Sequence, residues 1–116
     1  MATVKITVNE KSFTAKMYDN EAATAFSEML PLTINMSELN NNEKYYYLDE
    51  PLPKNAEHPH EIRAGDLMLY GENCVVLFYK TFTPSYSYTP LGYIEDPEGL
   101  AEAVGKKSVS VTFDIR

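Results

Sequence analysis

Apolar and polar residues alternate at both ends of the chain. Val4, Ile6 and Val8 alternate with Lys5, Thr7 and Asn9, and Phe13, Ala15 and Met17 repeat the period after the turn at Asn9-Glu10-Lys11-Ser12. A period of two marks strands with one buried face, so these segments predict an N-terminal hairpin. Val109, Val111, Phe113 and Ile115 give a final strand of the same kind. Between them, Leu32 to Met36, Lys44 to Leu48, Leu67 to Tyr70 and Leu91 to Ile94 read as strands. Cys74 to Tyr79 pairs with Leu67 to Tyr70 across the tight turn Gly71-Glu72-Asn73, and its apolar run places it centrally.

Two segments change period. Ala22, Ala23, Phe26, Met29 and Leu30 follow the cap residues Asp19 and Asn20 at helical spacing, and Pro31 stops them after about three turns. Asp96-Pro97 sets a second start, and Leu100, Ala101, Ala103 and Val104 follow, with Gly105 closing the helix. The count is about eight strands and two short helices, without repeats or linkers. A sandwich would carry fewer helices, and a doubly wound fold would alternate strand and helix. A closed eight-stranded, mainly β barrel with helices at its ends fits best, because closure leaves no free edge. Residues 1–116 are then one domain, a size that buries enough surface to fold without disulfide or metal.

Charge removes one class of partner. The net charge is −7, from 17 acids against 10 bases, and the bases form no stripe. Such a surface repels phosphate backbones, so nucleic acid is not an expected partner. No segment has signal-peptide or membrane-spanning length, so a cytoplasmic protein with no membrane partner is expected. The single cysteine, Cys74, lies in an apolar run with no histidine near it in sequence. It reads as a small buried hydrophobe, not a nucleophile.

Candidate chemistry concentrates in the tyrosines, eight of nine of which lie between Tyr45 and Tyr93. Tyrosine has a large apolar body and a polar tip, which suits a half-wet pocket. Tyr45 and Tyr47 share one strand face, and Tyr86 and Tyr88 stand in a loop near Tyr79 and Phe82. These six residues form the expected binding groove, against the plainer reading that they plug or shield a barrel. His58 and His60 are flanked by Glu57 and Glu61, but the chain has no third histidine, so a metal site is not expected. Asp66, after Gly65, reads as the start of a hairpin strand bonding nearby amides. No catalytic constellation or cofactor motif is found, and no cofactor is expected.

Gly65-Asp66-Leu67-Met68-Leu69-Tyr70, Val75-Val76-Leu77-Phe78-Tyr79 and Tyr86-Ser87-Tyr88-Thr89-Pro90-Leu91-Gly92 resemble segments of a family of small bacterial proteins with a cyclophilin-like fold. The resemblance covers nearly the whole chain, including Tyr45-Tyr46-Tyr47 and Pro97-Glu98-Gly99-Leu100. It implies an eight-stranded barrel with two capping helices and a largely unassigned activity. True cyclophilins are prolyl isomerases that use an arginine to polarise the prolyl amide. Here the strand expected to carry it holds Tyr45-Tyr46-Tyr47, and the only arginines are Arg63 and Arg116. The leading expectation is a non-catalytic domain that binds a peptide or small molecule in the aromatic groove. Two alternatives are a weak prolyl isomerase and an accessory domain for a flavodoxin-like redox partner, to which some relatives are joined.

Overall fold

The structure is a computed structural model and describes residues 2–116. Its strands are β1 (Thr3–Val8), β2 (Lys11–Met17), β3 (Leu32–Leu39), β4 (Glu43–Tyr47), β5 (Asp66–Tyr70), β6 (Cys74–Phe78), β7 (Thr89–Ile94) and β8 (Val109–Ile115). Helix α1 (Glu21–Ser27) lies between β2 and β3, and α2 (Leu100–Val104) between β7 and β8. The strands form one closed antiparallel barrel in the order β1-β2-β7-β5-β6-β4-β3-β8. The two ends of the chain meet in this wall, where Val4 faces Ile115 across the β1–β8 pair.

The alternation read from sequence sets the two faces. Val4, Ile6, Val8, Ala15, Met17, Val111 and Phe113 point into the barrel and are buried. The antiparallel order puts α1 and α2 at opposite mouths, because β2 ends and β3 begins at one end of the barrel while β7 ends and β8 begins at the other. Each helix closes its mouth with apolar side chains. Ala22, Ala23 and Phe26 enter the core from α1, and Leu100 and Val104 from α2. Phe26 meets Phe113 edge-on with ring centres 5.4 Å apart.

Both helices depart from the expected bounds. Asn20 caps α1 as expected, accepting a 2.8 Å bond from the Ala23 amide. The helix ends at Ser27, however, and Met29 is left exposed. The expected cap at Asp96 is corrected. Asp96 accepts from the Glu98 amide in a local turn, and the helix starts only at Leu100 after Gly99 turns the chain at φ +84°. The Asp96 side chain closes a turn on its own backbone, which competes with helix initiation.

β6 is buried on both faces. Val75 and Leu77 face inward, while Cys74, Val76 and Phe78 face a second apolar cluster outside the barrel. Two long loops, 48–65 and 79–88, cover that cluster. They pair with each other at Glu57–Tyr88 and Ile62–Phe82. This outer layer is what creates concave surface on an otherwise convex wall.

Candidate functional site

A recess of about 280 Å3 opens beside this outer layer. β4 presents Glu43, Tyr45 and Tyr47 on one face, as residues two apart on a strand must. β6 supplies the floor with Cys74 and Val76, which pair with Tyr47 and Tyr45. Tyr70, the last residue of β5, and Tyr86 and Tyr88 from the covering loop complete the wall. Tyr45 and Tyr47 meet edge-to-face at 5.8 Å and 77°. Tyr70 meets Tyr86 at 5.7 Å and 72°, and Tyr88 at 5.7 Å and 55°. Three of the rings remain wet: Tyr47 and Tyr86 are 60% exposed and Tyr70 43%.

Several groups here are shifted upward. Burial pushes the Tyr88 hydroxyl up to about 12, with Glu43 adding to it. Burial likewise raises the Cys74 thiol to about 11, again with Glu43 contributing. The Glu43 carboxyl is raised by burial and by the nearby Glu38. At neutral pH the recess therefore holds a protonated Tyr88 hydroxyl, a protonated Cys74 thiol and one acid.

Of the six residues expected in the groove, Tyr45, Tyr47, Tyr86 and Tyr88 come together. Tyr79 goes elsewhere, into the barrel core, where its hydroxyl donates a 2.7 Å bond to Glu38 Oε1. Its place follows from the β6 alternation, which carries Val75, Leu77 and then Tyr79 inward. Phe82 packs on Phe78 at 5.5 Å in the outer cluster without lining the recess. Tyr70 and Glu43 were missed by the sequence reading. The same alternation signals both, since Glu43 shares the face of Tyr45 and Tyr47.

A second, wider cleft of about 1630 Å3 runs between the 53–64 loop and the outer wall of β7. Arg63, His60 and Asp66 line it. Several of its polar groups bond one another. The Asp66 carboxylate accepts from the Arg63 amide at 2.8 Å, Arg63 Nε contacts Glu61 at 3.2 Å, and the Asn55 amide donates to Thr89 Oγ1. His58 Nε2 lies 3.2 Å from the Pro84 carbonyl oxygen, outside any cluster with His60. Among the described residues no three His, Cys, Asp or Glu side chains are grouped to hold a metal ion. Nor, among them, is any helix long and apolar enough to cross a membrane.

A family model described as the cyclophilin-like family matches residues 6–116. The chain belongs to the cyclophilin-like family. The solved solution structure of a hypothetical protein from Archaeoglobus fulgidus is similar to it at a TM-score of 0.66 and 16% identity, covering 99% of this chain and 95% of that one. At that identity the likeness concerns the fold. No curated protein matches the chain. This cyclophilin-like domain carries neither of its arginines in the tyrosine recess: Arg63 lines the wide cleft, and Arg116 follows β8.

Proposed function

We propose that this cyclophilin-like domain is a non-catalytic binding module, and that its ligand seats in the tyrosine recess formed by Tyr45, Tyr47, Tyr70, Tyr86 and Tyr88. One observation carries the reading: three tyrosine rings stay exposed around a concave floor that is itself buried and apolar. Contiguous exposed aromatic surface of this kind marks interaction sites. The walls are stiff, because Tyr45, Tyr47 and Tyr70 stand on strands and Tyr88 is buried against Phe78 at 5.5 Å. A preformed pocket of rigid aromatics loses little side-chain entropy on binding. The recess offers no cationic group to polarise a prolyl amide, which supports binding without catalysis. A bacterial, cytoplasmic setting belongs to the same proposal.

The test is binding by an isotope-labelled domain against a panel of proline-containing peptides and small aromatic, sugar and amine ligands. Saturable amide shifts confined to β4, the β5–β6 turn and residues 86–88 are expected for at least one class. Tyr47→Ala and Tyr86→Ala should abolish them with the fold intact, since both side chains are mostly in water. Shifts that map to the wide cleft, or that survive both substitutions, would reject the site. A prolyl-peptide isomerisation assay should show no acceleration over the uncatalysed rate.

A further inference from the structure

The recess combines two features that together specify a ligand class. First, its rings meet at steep angles, from 55° to 77°. Steeply inclined rings form corners. A flat ligand such as a nucleobase needs parallel faces on which to stack, whereas a compact, rounded group fits a corner from every side. Aromatic faces carry negative electrostatic potential, so the rounded group they favour is a cation.

Second, one acid stands among the rings without a cationic partner. Among the described residues the ion pairs are Lys44–Glu38 and Arg63–Glu61, and Glu43 is in neither. Its neighbour Lys44 turns the other way, into the barrel. Leu39, Asn40 and Val76 have no ionisable side chain, and the Cys74 thiol stays protonated at neutral pH. A half-buried carboxylate with no cation nearby gains most from a ligand that brings one. The whole molecule agrees in sign, since its net charge of −7 draws cations in and turns anions away.

We propose that the tyrosine recess is a cage for a small quaternary ammonium molecule, with Tyr45, Tyr47, Tyr70 and Tyr86 facing its alkyl groups and Glu43 supplying the countercharge. The proposal rests on the recess being the binding site, and it narrows the ligand from peptide or small molecule to the latter. A closed barrel has no unpaired strand edge beside the recess to hold a peptide backbone. A free cation held by its head group needs none. The volume of about 280 Å3 suits such a head with a short stem.

The test uses the intact domain and three probes: choline, its neutral isostere 3,3-dimethylbutan-1-ol, and a short peptide carrying trimethyllysine. Choline should bind at the recess at least about tenfold tighter than the isostere, the margin a desolvated cation–π contact supplies. Glu43→Gln should weaken choline about tenfold and leave the isostere unchanged. Tyr86→Ala should weaken both. Equal binding of choline and isostere would overturn the cation cage while leaving the recess a binding site. So would recess binding by another class of the wider panel when choline is inert. Tighter binding of the peptide than of choline would overturn the choice of a free molecule. If nothing in either panel binds there, the recess reading and the cage fall together.

Discussion

A lysine ammonium sits wholly inside this barrel. Lys44 is fully buried, and its Nζ donates to Glu38 Oε1 at 2.9 Å and to the Lys107 carbonyl oxygen at 2.6 Å. The Tyr79 ring lies 5.3 Å from the same ammonium, and the Tyr79 hydroxyl donates to the same carboxylate oxygen. A buried charge is tolerated only when its hydrogen bonds are met, and removing one partner strands the other. Glu38→Gln should therefore cost about 3 kcal/mol, because it leaves the ammonium without its countercharge. Lys44→Met should cost less, since Glu38 is partly exposed and keeps its bonds from Tyr79 and the Asn41 amide. Denaturant titrations of both variants measure the order, and equal losses would show that the buried charge is not the reason. Burial pushes the Glu38 carboxyl up, but bonds from Tyr79, Lys44 and Asn41 outweigh it and hold it below the usual range. A depressed acid stabilises fully above its unfolded value and loses that contribution as pH falls through its folded value. The gap between wild type and Glu38→Gln should accordingly persist at neutral pH and close in acid. Cys74 makes the opposite case. Its thiol is raised from 9.0 to about 11, so at neutral pH the thiolate is about 100-fold scarcer than for an unperturbed thiol. Native alkylation by iodoacetamide should be slower than in urea by at least that factor, and fast native labelling would mean that the recess floor opens.

At the scale of elements, β2 and β7 pack with no room for a side chain at Gly92. Met17 faces Gly92 across that pair, and a Cβ at Gly92 would press on the Lys16 carbonyl oxygen and on Met17. Gly92→Ala should cost about 2–3 kcal/mol by forcing the strands apart. Gly71→Ala is the control. Gly71 turns β5 into β6 at φ +62° with nothing within 4 Å of an added Cβ, so only backbone strain of about 1 kcal/mol is at stake. Equal losses in urea titrations would dismiss strand approach as the cause. The contrast bears on how far the chain can be read unaided. Alternation at Val4-Ile6-Val8 and Val109-Val111-Phe113 revealed strands because each has one wet face. It also contained the inward turn of Tyr79 and the outward turn of Glu43. Proximity in sequence to Phe82 and Tyr86 drew Tyr79 into the expected groove instead. The pairing of Glu57 with Tyr88 and Ile62 with Phe82 was not legible, because isolated bridges between irregular loops leave no periodic trace. The barrel glycine Gly92 was equally silent, since its need arises from a strand distant in sequence.

For the whole molecule, closure joins the chain's own ends. β8 lies between β1 and β3, and the Arg116 amide donates to the Thr3 carbonyl oxygen at 3.2 Å. β1 and β8 are antiparallel, so a short linker from residue 116 back to residue 2 would complete one more hairpin. The natural place for new ends is then the β1–β2 turn. Asn9 and Glu10 are exposed there, and both hold positive φ, which chain opening relieves. In the strand order β1 stands opposite β6, so this cut lies across the barrel from the recess floor. A circular permutant opened between Asn9 and Glu10 should fold cooperatively to the same barrel, within about 2 kcal/mol of the parent chain. Part of the loss should trace to the Asn9 side chain, whose 2.7 Å bond to the Ala103 carbonyl oxygen steadies α2. Its ligand affinity should match that of the parent, because no recess residue moves in sequence or space. Loss of cooperative unfolding would show that the β1–β8 seam is not the closure of the barrel. Retained folding with altered affinity would show that the recess depends on the opposite wall.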